Sequence, residues 1–163
     1  MLRFKKAILK HRLSRLFFFY VVGCTIGALL FVVSDPDCIA VCSELCRQST
    51  SLLSLLIGLF LPVVLAAVLS GFDLALRFLL MTKAALYCYT GCVLFSAYPN
   101  SAWLIRILAL FSETVGMIVF LVYLFLNKVD RSRIHIVILL LLVTLGAFDY
   151  FLISPFITEI LSR

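Results

Sequence analysis

Charge is scarce in this chain. Of its 163 residues only 13% are Asp, Glu, Lys or Arg, about half the share of an ordinary soluble domain. That scarcity, with 64% hydrophobic residues and a mean hydropathy of +1.21, excludes a disordered chain, which needs high charge and low hydrophobicity. It also excludes a water-soluble globule. A domain this short leaves roughly a third of its surface in water, and there are too few polar residues to cover it. Histidine occurs twice, as His11 and His135, and no Cys-x-x-Cys or His-Glu-x-x-His spacing is present, so a zinc or dithiol centre has no sequence support. Neither a Ser/His/Asp set nor a glycine-rich phosphate loop can be read. The expectation is therefore a non-enzymatic chain with no metal and no cofactor.

What the chain does have is long apolar runs. A helix needs about 20 mostly apolar residues to cross roughly 30 Å of hydrocarbon. Five runs fall near residues 16–33, 52–69, 84–98, 102–126 and 134–153. The fold class expected is all-α: a polytopic bundle of about five transmembrane helices. A basic head, residues 1–15, precedes a single helical domain, residues 16–163. The stretch 70–83 is ambiguous. It sets Asp73, Arg77 and Lys83 among large apolar residues. Two readings fit: an amphipathic helix at headgroup level, or the start of a longer, tilted third span. Asp73 and Arg77 lie four apart, a spacing that permits pairing on a helix. Pro62 inside the second run is expected to kink it.

Orientation follows from the cations. The head carries Arg3, Lys5, Lys6, Lys10, Arg12 and Arg15 and no acid, which places it in the cytoplasm. Segments 70–83 and 127–133, at net +1 and +2, then fall inside, and 34–51, at net −2, falls outside. The overall excess of 14 basic over 8 acidic residues thus reads as topology and anionic lipid headgroups, and not as nucleic-acid binding. A signal peptide is the less favoured reading of the head, since the first run is long and Ser34-Asp35-Pro36-Asp37 is a poor cleavage context.

Six cysteines are present: Cys24, Cys38, Cys42, Cys46, Cys88 and Cys92. Cys38, Cys42 and Cys46 repeat every fourth residue and would share a helical stripe. They form the candidate outer segment, for a disulfide in an oxidising compartment or for partner contact. A thiol–quinone oxidoreductase is one functional reading; small apolar filler is the other. Arg106, Glu113 and Asp149 lie in or near apolar runs, where an ionisable group is costly and turns toward protein or water. Glu113 and Asp149 allow an ion path or a structural contact ordering the last two spans. Gly23 and Gly27 form a small-xxx-small step in the first run, with Ala28 beside it. Thr90 and Gly91 make a similar patch in the third.

The segment Ala147-Phe148-Asp149-Tyr150-Phe151-Leu152-Ile153-Ser154-Pro155, together with Gly23, Gly27 and Ala28, the basic head and Glu113, resembles the stage II sporulation protein M family. The sequence departs from that family at Leu108-Ala109-Leu110, where the family has Pro-His-Gly, and in a shorter outer loop after the first span. The resemblance implies about five crossings and a non-enzymatic scaffold in a bacterial cell membrane. In spore formers this would be the mother-cell membrane during engulfment. The implied partners are the lipid bilayer and membrane-bound peptidoglycan hydrolases, meeting the chain on its outer segments. A transporter subunit using Glu113 and Asp149 is the alternative. The topology has a direct check: a tag placed before Met1 is expected to survive protease added to intact cells, and its digestion would invert the orientation.

Overall fold

The computed structural model describes residues 2–47, 52–97, 107, 110–126, 131–153 and 155–156; side chains are described for 13–42, 56–96, 107, 110–111, 113–125, 136–153 and 155–156. Among the described residues there are six α-helices and no strand. They are α1 (Leu2–Val33), α2 (Pro36–Arg47), α3 (Leu52–Val68), α4 (Asp73–Ala97), α5 (Phe111–Leu126) and α6 (Arg131–Phe148). Three stretches are long and apolar enough to cross a bilayer: Leu13–Val33, Asp73–Ser96 and Ile136–Ile153. Two shorter apolar helices lie at Leu56–Gly71 and Glu113–Phe125.

The basic head does not end where the apolar run begins. It is the first part of α1, a single helix of 32 residues. After Val33 the chain bends at Ser34, and the Asp35 carbonyl accepts from the Ile39 N–H at 3.1 Å. Pro36 then opens α2, a position where its missing N–H costs nothing and its fixed φ suits the helix. Residues 36–47 of the segment 34–51 are thus a 12-residue helix. Helix α3 runs through Pro62. The proline ring crowds the carbonyl four residues back, and that residue is Gly58, where an added Cβ would meet nothing.

A short 3₁₀ turn, Leu69–Gly71, leads to extended Phe72, whose carbonyl accepts from the Leu76 N–H at 3.1 Å. Helix α4 starts there, with Asp73 in its first turn, where a carboxylate complements the helix dipole. This corrects the short third span. Residues 73–83 of the ambiguous stretch and 84–97 of the third run are one helix of 25 residues, as the second of the two readings has it, so Lys83 lies ten residues inside it. At 1.5 Å rise that is about 15 Å from its start. A turn at Leu110, with its N–H on the Ile107 carbonyl at 3.2 Å, precedes α5, which opens at Phe111.

Helix α1 lies along α4, and the two are parallel. Phe19 meets Arg77, Gly23 meets Met81, and Gly27 meets Ala85, a constant offset of 58 positions. The approach is close because the glycines have no Cβ. One added at Gly27 would run into the Ala85 backbone, with Ala85 Cα and C at 3.0 Å. One added at Gly23 would stand 2.8 Å from the Ala84 Cβ and nearer still to the Met81 carbonyl oxygen. The small-xxx-small step therefore marks a real helix contact, and its partner is α4. Ala28 is half-buried beside it. Gly91 is less demanding, since a Cβ there would sit 3.7 Å from Leu110 Cδ1, an ordinary contact.

Of the remaining helices, α5 packs against α4, and α6 packs against α3 and α5. Leu59 of α3, Leu76, Leu80 and Ala84 of α4, Phe120, Tyr123 and Leu124 of α5, and Ile138 and Leu142 of α6 form one buried cluster. On α4, α5 and α6 these residues lie toward the end that the basic head marks. Phe111 and Phe148, 6.0 Å apart between ring centroids, place the start of α5 beside the end of α6, so those two run antiparallel. After Phe148 the backbone widens to a π-helical turn, Asp149–Ile153, ahead of Pro155, which cannot continue the hydrogen-bond ladder. Pro155 itself is exposed.

Glycine placement gives a paired test. Gly27→Leu is expected to destabilise the bundle by about 1–3 kcal/mol, the cost of overpacking. Gly58→Ala, in open space, is expected to be neutral or to stabilise by about 0.5–1 kcal/mol through helix propensity. Thermal unfolding of both variants in one detergent reads the contrast.

Candidate functional site

The polar groups that sequence reading scattered over several helices converge on one level of the bundle. Lys83 Nζ of α4 donates to Glu113 Oε2 of α5 at 2.9 Å, an ion pair. One helical turn along α4, the Tyr87 and Thr114 hydroxyls lie 3.0 Å apart. Thr114 Oγ1 in turn donates to the Leu110 carbonyl at 2.7 Å, in the turn that opens α5. The offset that holds α1 on α4 puts Lys83 level with Thr25, the middle of the apolar run 16–33. The pair therefore sits halfway along the apolar length of the bundle, at the edge of the buried cluster.

Three local features make this position tolerable for charge. Lys83 is mostly buried, at 15% exposure, so its ammonium needs an anion. Glu113 is that anion. It also stands in the first turn of α5, where unbonded backbone N–H groups carry partial positive charge. Lys83 lies on the same inward stripe of α4 as buried Leu76 and Leu80, and Glu113 on the same stripe of α5 as buried Phe120 and Leu124. Glu113 nevertheless keeps 41% of its side chain exposed, because the packed cluster lies to one side of it only.

The partner of Glu113 is Lys83, thirty residues earlier. Asp149 is half-buried at the opening of the π-helical turn and has interactions of its own. Arg106 lies outside the described residues, as do the rings of His11 and His135. Arg77 finds an aromatic partner on the neighbouring helix: its guanidinium carbon is 5.6 Å from the centroid of Phe19, a cation–π distance.

At the end of the bundle remote from the basic head, a second set of contacts forms. Ser34 Oγ donates to the Leu30 carbonyl at 2.7 Å and lies 3.4 Å from Tyr89 Oη. Tyr89 Oη donates to Cys42 Sγ at 3.8 Å, tying α2 to α4. Cys38 is exposed and Cys42 half-buried, and both are free thiols. The outer disulfide is thus not formed between these two; the Cys46 side chain lies outside the described residues. Cys24, Cys88 and Cys92 are also free, and Cys24 Sγ is 3.9 Å from the Ala84 carbonyl, as expected of a small hydrophobe with a weak donor. Among the described residues no group of three or more His, Cys, Asp or Glu could hold a metal ion.

Sequence reasoning missed Lys83 and Tyr87 as members of the site. Lys83 borders the apolar run 84–98, and a charge at that place reads as the end of a span. The available signal was the four-residue stripe Leu76, Leu80, Ala84, with Lys83 and Tyr87 on the same side of the helix. Comparison with family models, with curated proteins and with solved structures found no match for the chain.

A double-mutant cycle tests the pair. Lys83→Met and Glu113→Gln are each expected to cost about 1–3 kcal/mol, between the values for exposed and fully buried pairs. The double variant is expected to recover part of that loss, because neither charge is then left alone. Additive losses in detergent unfolding would show that the two side chains do not interact.

Proposed function

We propose that the chain is an integral membrane protein that acts as a non-enzymatic scaffold, its helices locked to one another and its short far-side segments offered to partners. The observation that carries this reading is the Lys83–Glu113 ion pair. At mid-depth of a bilayer a charge is costly, and here each charge is spent on the other, fastening α4 to α5. The Tyr87–Thr114 contact and the Gly23 and Gly27 approach have the same effect between neighbouring helices. A rigid bundle of this kind suits holding other proteins in place.

In its specific form the reading draws on the resemblance to the stage II sporulation protein M family. The partners are then membrane-bound peptidoglycan hydrolases, the membrane is that of the mother cell, and the contacting surfaces are α2 and the other segments on the side opposite the basic head. Crosslinking of the tagged full-length chain in intact sporulating cells, followed by purification, is expected to recover a wall hydrolase. Recovery of none would overturn the partner class. Loss of the chain from the membrane fraction would overturn the scaffold reading as a whole.

A second reading has one feature in its favour. The apolar run 102–126 is interrupted at Leu110, and a helix begins beside a lysine and a half-exposed carboxylate. Discontinuous helices at mid-depth are used by transporters to bind ions and substrates. If this chain is a transporter subunit, Glu113→Gln is expected to abolish ion-coupled flux in proteoliposomes. Parent flux no greater than that of empty liposomes would dispose of transport.

A further inference from the structure

A groove of about 470 Å³ runs between α1 and α4 on the half of the bundle remote from the basic head. Its walls are Ile26, Leu30 and Ser34 from α1 and Ala85, Leu86 and Tyr89 from α4. Because the two helices are parallel and in register, the groove follows the helix axes. From Ile26 to Ser34 it extends about 12 Å at 1.5 Å per residue, close to one leaflet of a hydrocarbon core about 30 Å thick. It starts level with the Lys83–Glu113 pair and ends at the bilayer boundary.

Polarity is graded along this length. The lower walls are apolar. Thr82, also in the lining, has its hydroxyl proton on the Phe78 carbonyl at 2.9 Å. The upper end carries the Ser34 and Tyr89 hydroxyls, 3.4 Å apart. Next in the chain after Ser34, where it turns into α2, come Asp35 and Asp37, both exposed. An apolar slot one leaflet deep, then hydroxyls, then carboxylates, is the profile of an acyl chain, a phosphoester and a cationic headgroup.

We propose that this groove binds one phospholipid of the leaflet opposite the basic head, with an amine-bearing headgroup of the ethanolamine type. One acyl chain fills the slot over Ala85. The Tyr89 hydroxyl turns from its long 3.8 Å contact with Cys42 Sγ and donates to a phosphoester oxygen. The primary ammonium donates to Asp35 and Asp37. A choline headgroup has no N–H to donate, and a glycerol headgroup brings a net negative charge against two carboxylates, so both bind less well. The proposal rests on the membrane-spanning reading and adds to it a ligand and a selectivity.

The test uses the full chain, purified in mild detergent and placed in nanodiscs of phosphatidylethanolamine, phosphatidylcholine or phosphatidylglycerol. Lipid that survives transfer into native mass spectrometry is counted. One phosphatidylethanolamine per chain is expected to persist, at about tenfold higher occupancy than either other lipid, a difference of about 1.4 kcal/mol. Leu30→Trp, at a position 54% exposed, is expected to fill the slot and lose the lipid with unchanged thermal unfolding. Ala85→Phe is expected to lose it too. Asp35→Asn with Asp37→Asn is expected to keep a bound lipid and lose the preference for the amine. Equal retention of all three lipids would overturn the assignment while leaving the membrane reading intact. So would retention undiminished in both filled variants, or a lipid-free dimer with α1 and α4 of a second copy seated in the groove.

Discussion

A carboxylate and an ammonium in contact on the inward faces of two helices leave a bundle little freedom to slide. If α4 shifted by one turn along α5, Lys83 would be carried about 5.4 Å from Glu113, into surroundings that solvate neither group. The ion pair therefore fixes register, a role that apolar side chains cannot fill in hydrocarbon, where lipid tails are as good a neighbour as leucine. Such pairs add little net stability against well-packed apolar replacements, and their best-attested use is specification. The contacts around it are consistent with that use. Tyr87 and Thr114 repeat the α4–α5 link one turn away, and the buried cluster fills the space on the side toward the basic head.

The second determinant is proximity of backbone to backbone. Gly23 and Gly27 bring α1 onto α4 so closely that the facing atoms are main-chain carbonyls and carbons. Dispersion between two helix surfaces depends steeply on distance, so a gap of even an ångström forfeits much of it. With the glycines in place α1 needs few large side chains at the contact. Many of its residues then face outward, among them Phe17, Phe18, Leu29 and Val32. The two devices divide the work: charge locates α4 against α5, and shape locates α1 against α4.

Much of this was legible in the sequence. Composition alone implied an apolar helical chain, and the glycine step identified the packing face of α1. The limits of α4 were not legible, because hydropathy counts Asp73, Arg77 and Lys83 as penalties without knowing what they meet. Arg77 lies over Phe19, Lys83 meets Glu113, and Asp73 stands at a helix N-terminus. Each is a tertiary or terminal effect invisible to a sliding window. The break at Leu110 was hidden for the opposite reason: Leu108-Ala109-Leu110 contains no glycine, proline or other turn signal.

The parallel contact between α1 and α4 also bears on how the chain is made. The Asp73–Ser96 window is the least apolar of the three long ones, with mean hydropathy 1.5 against 2.5 and 2.6 for its neighbours. Its face for α1 is ready as soon as it leaves the ribosome, since α1 precedes it. The counter-ion of Lys83 is translated thirty residues later. During that interval α4 has a waiting neighbour for its arginine and none of its own for its lysine. The order of synthesis thus makes α1 the receiving surface for α4, and it makes arrival of α5 the step that gives Lys83 its counter-ion.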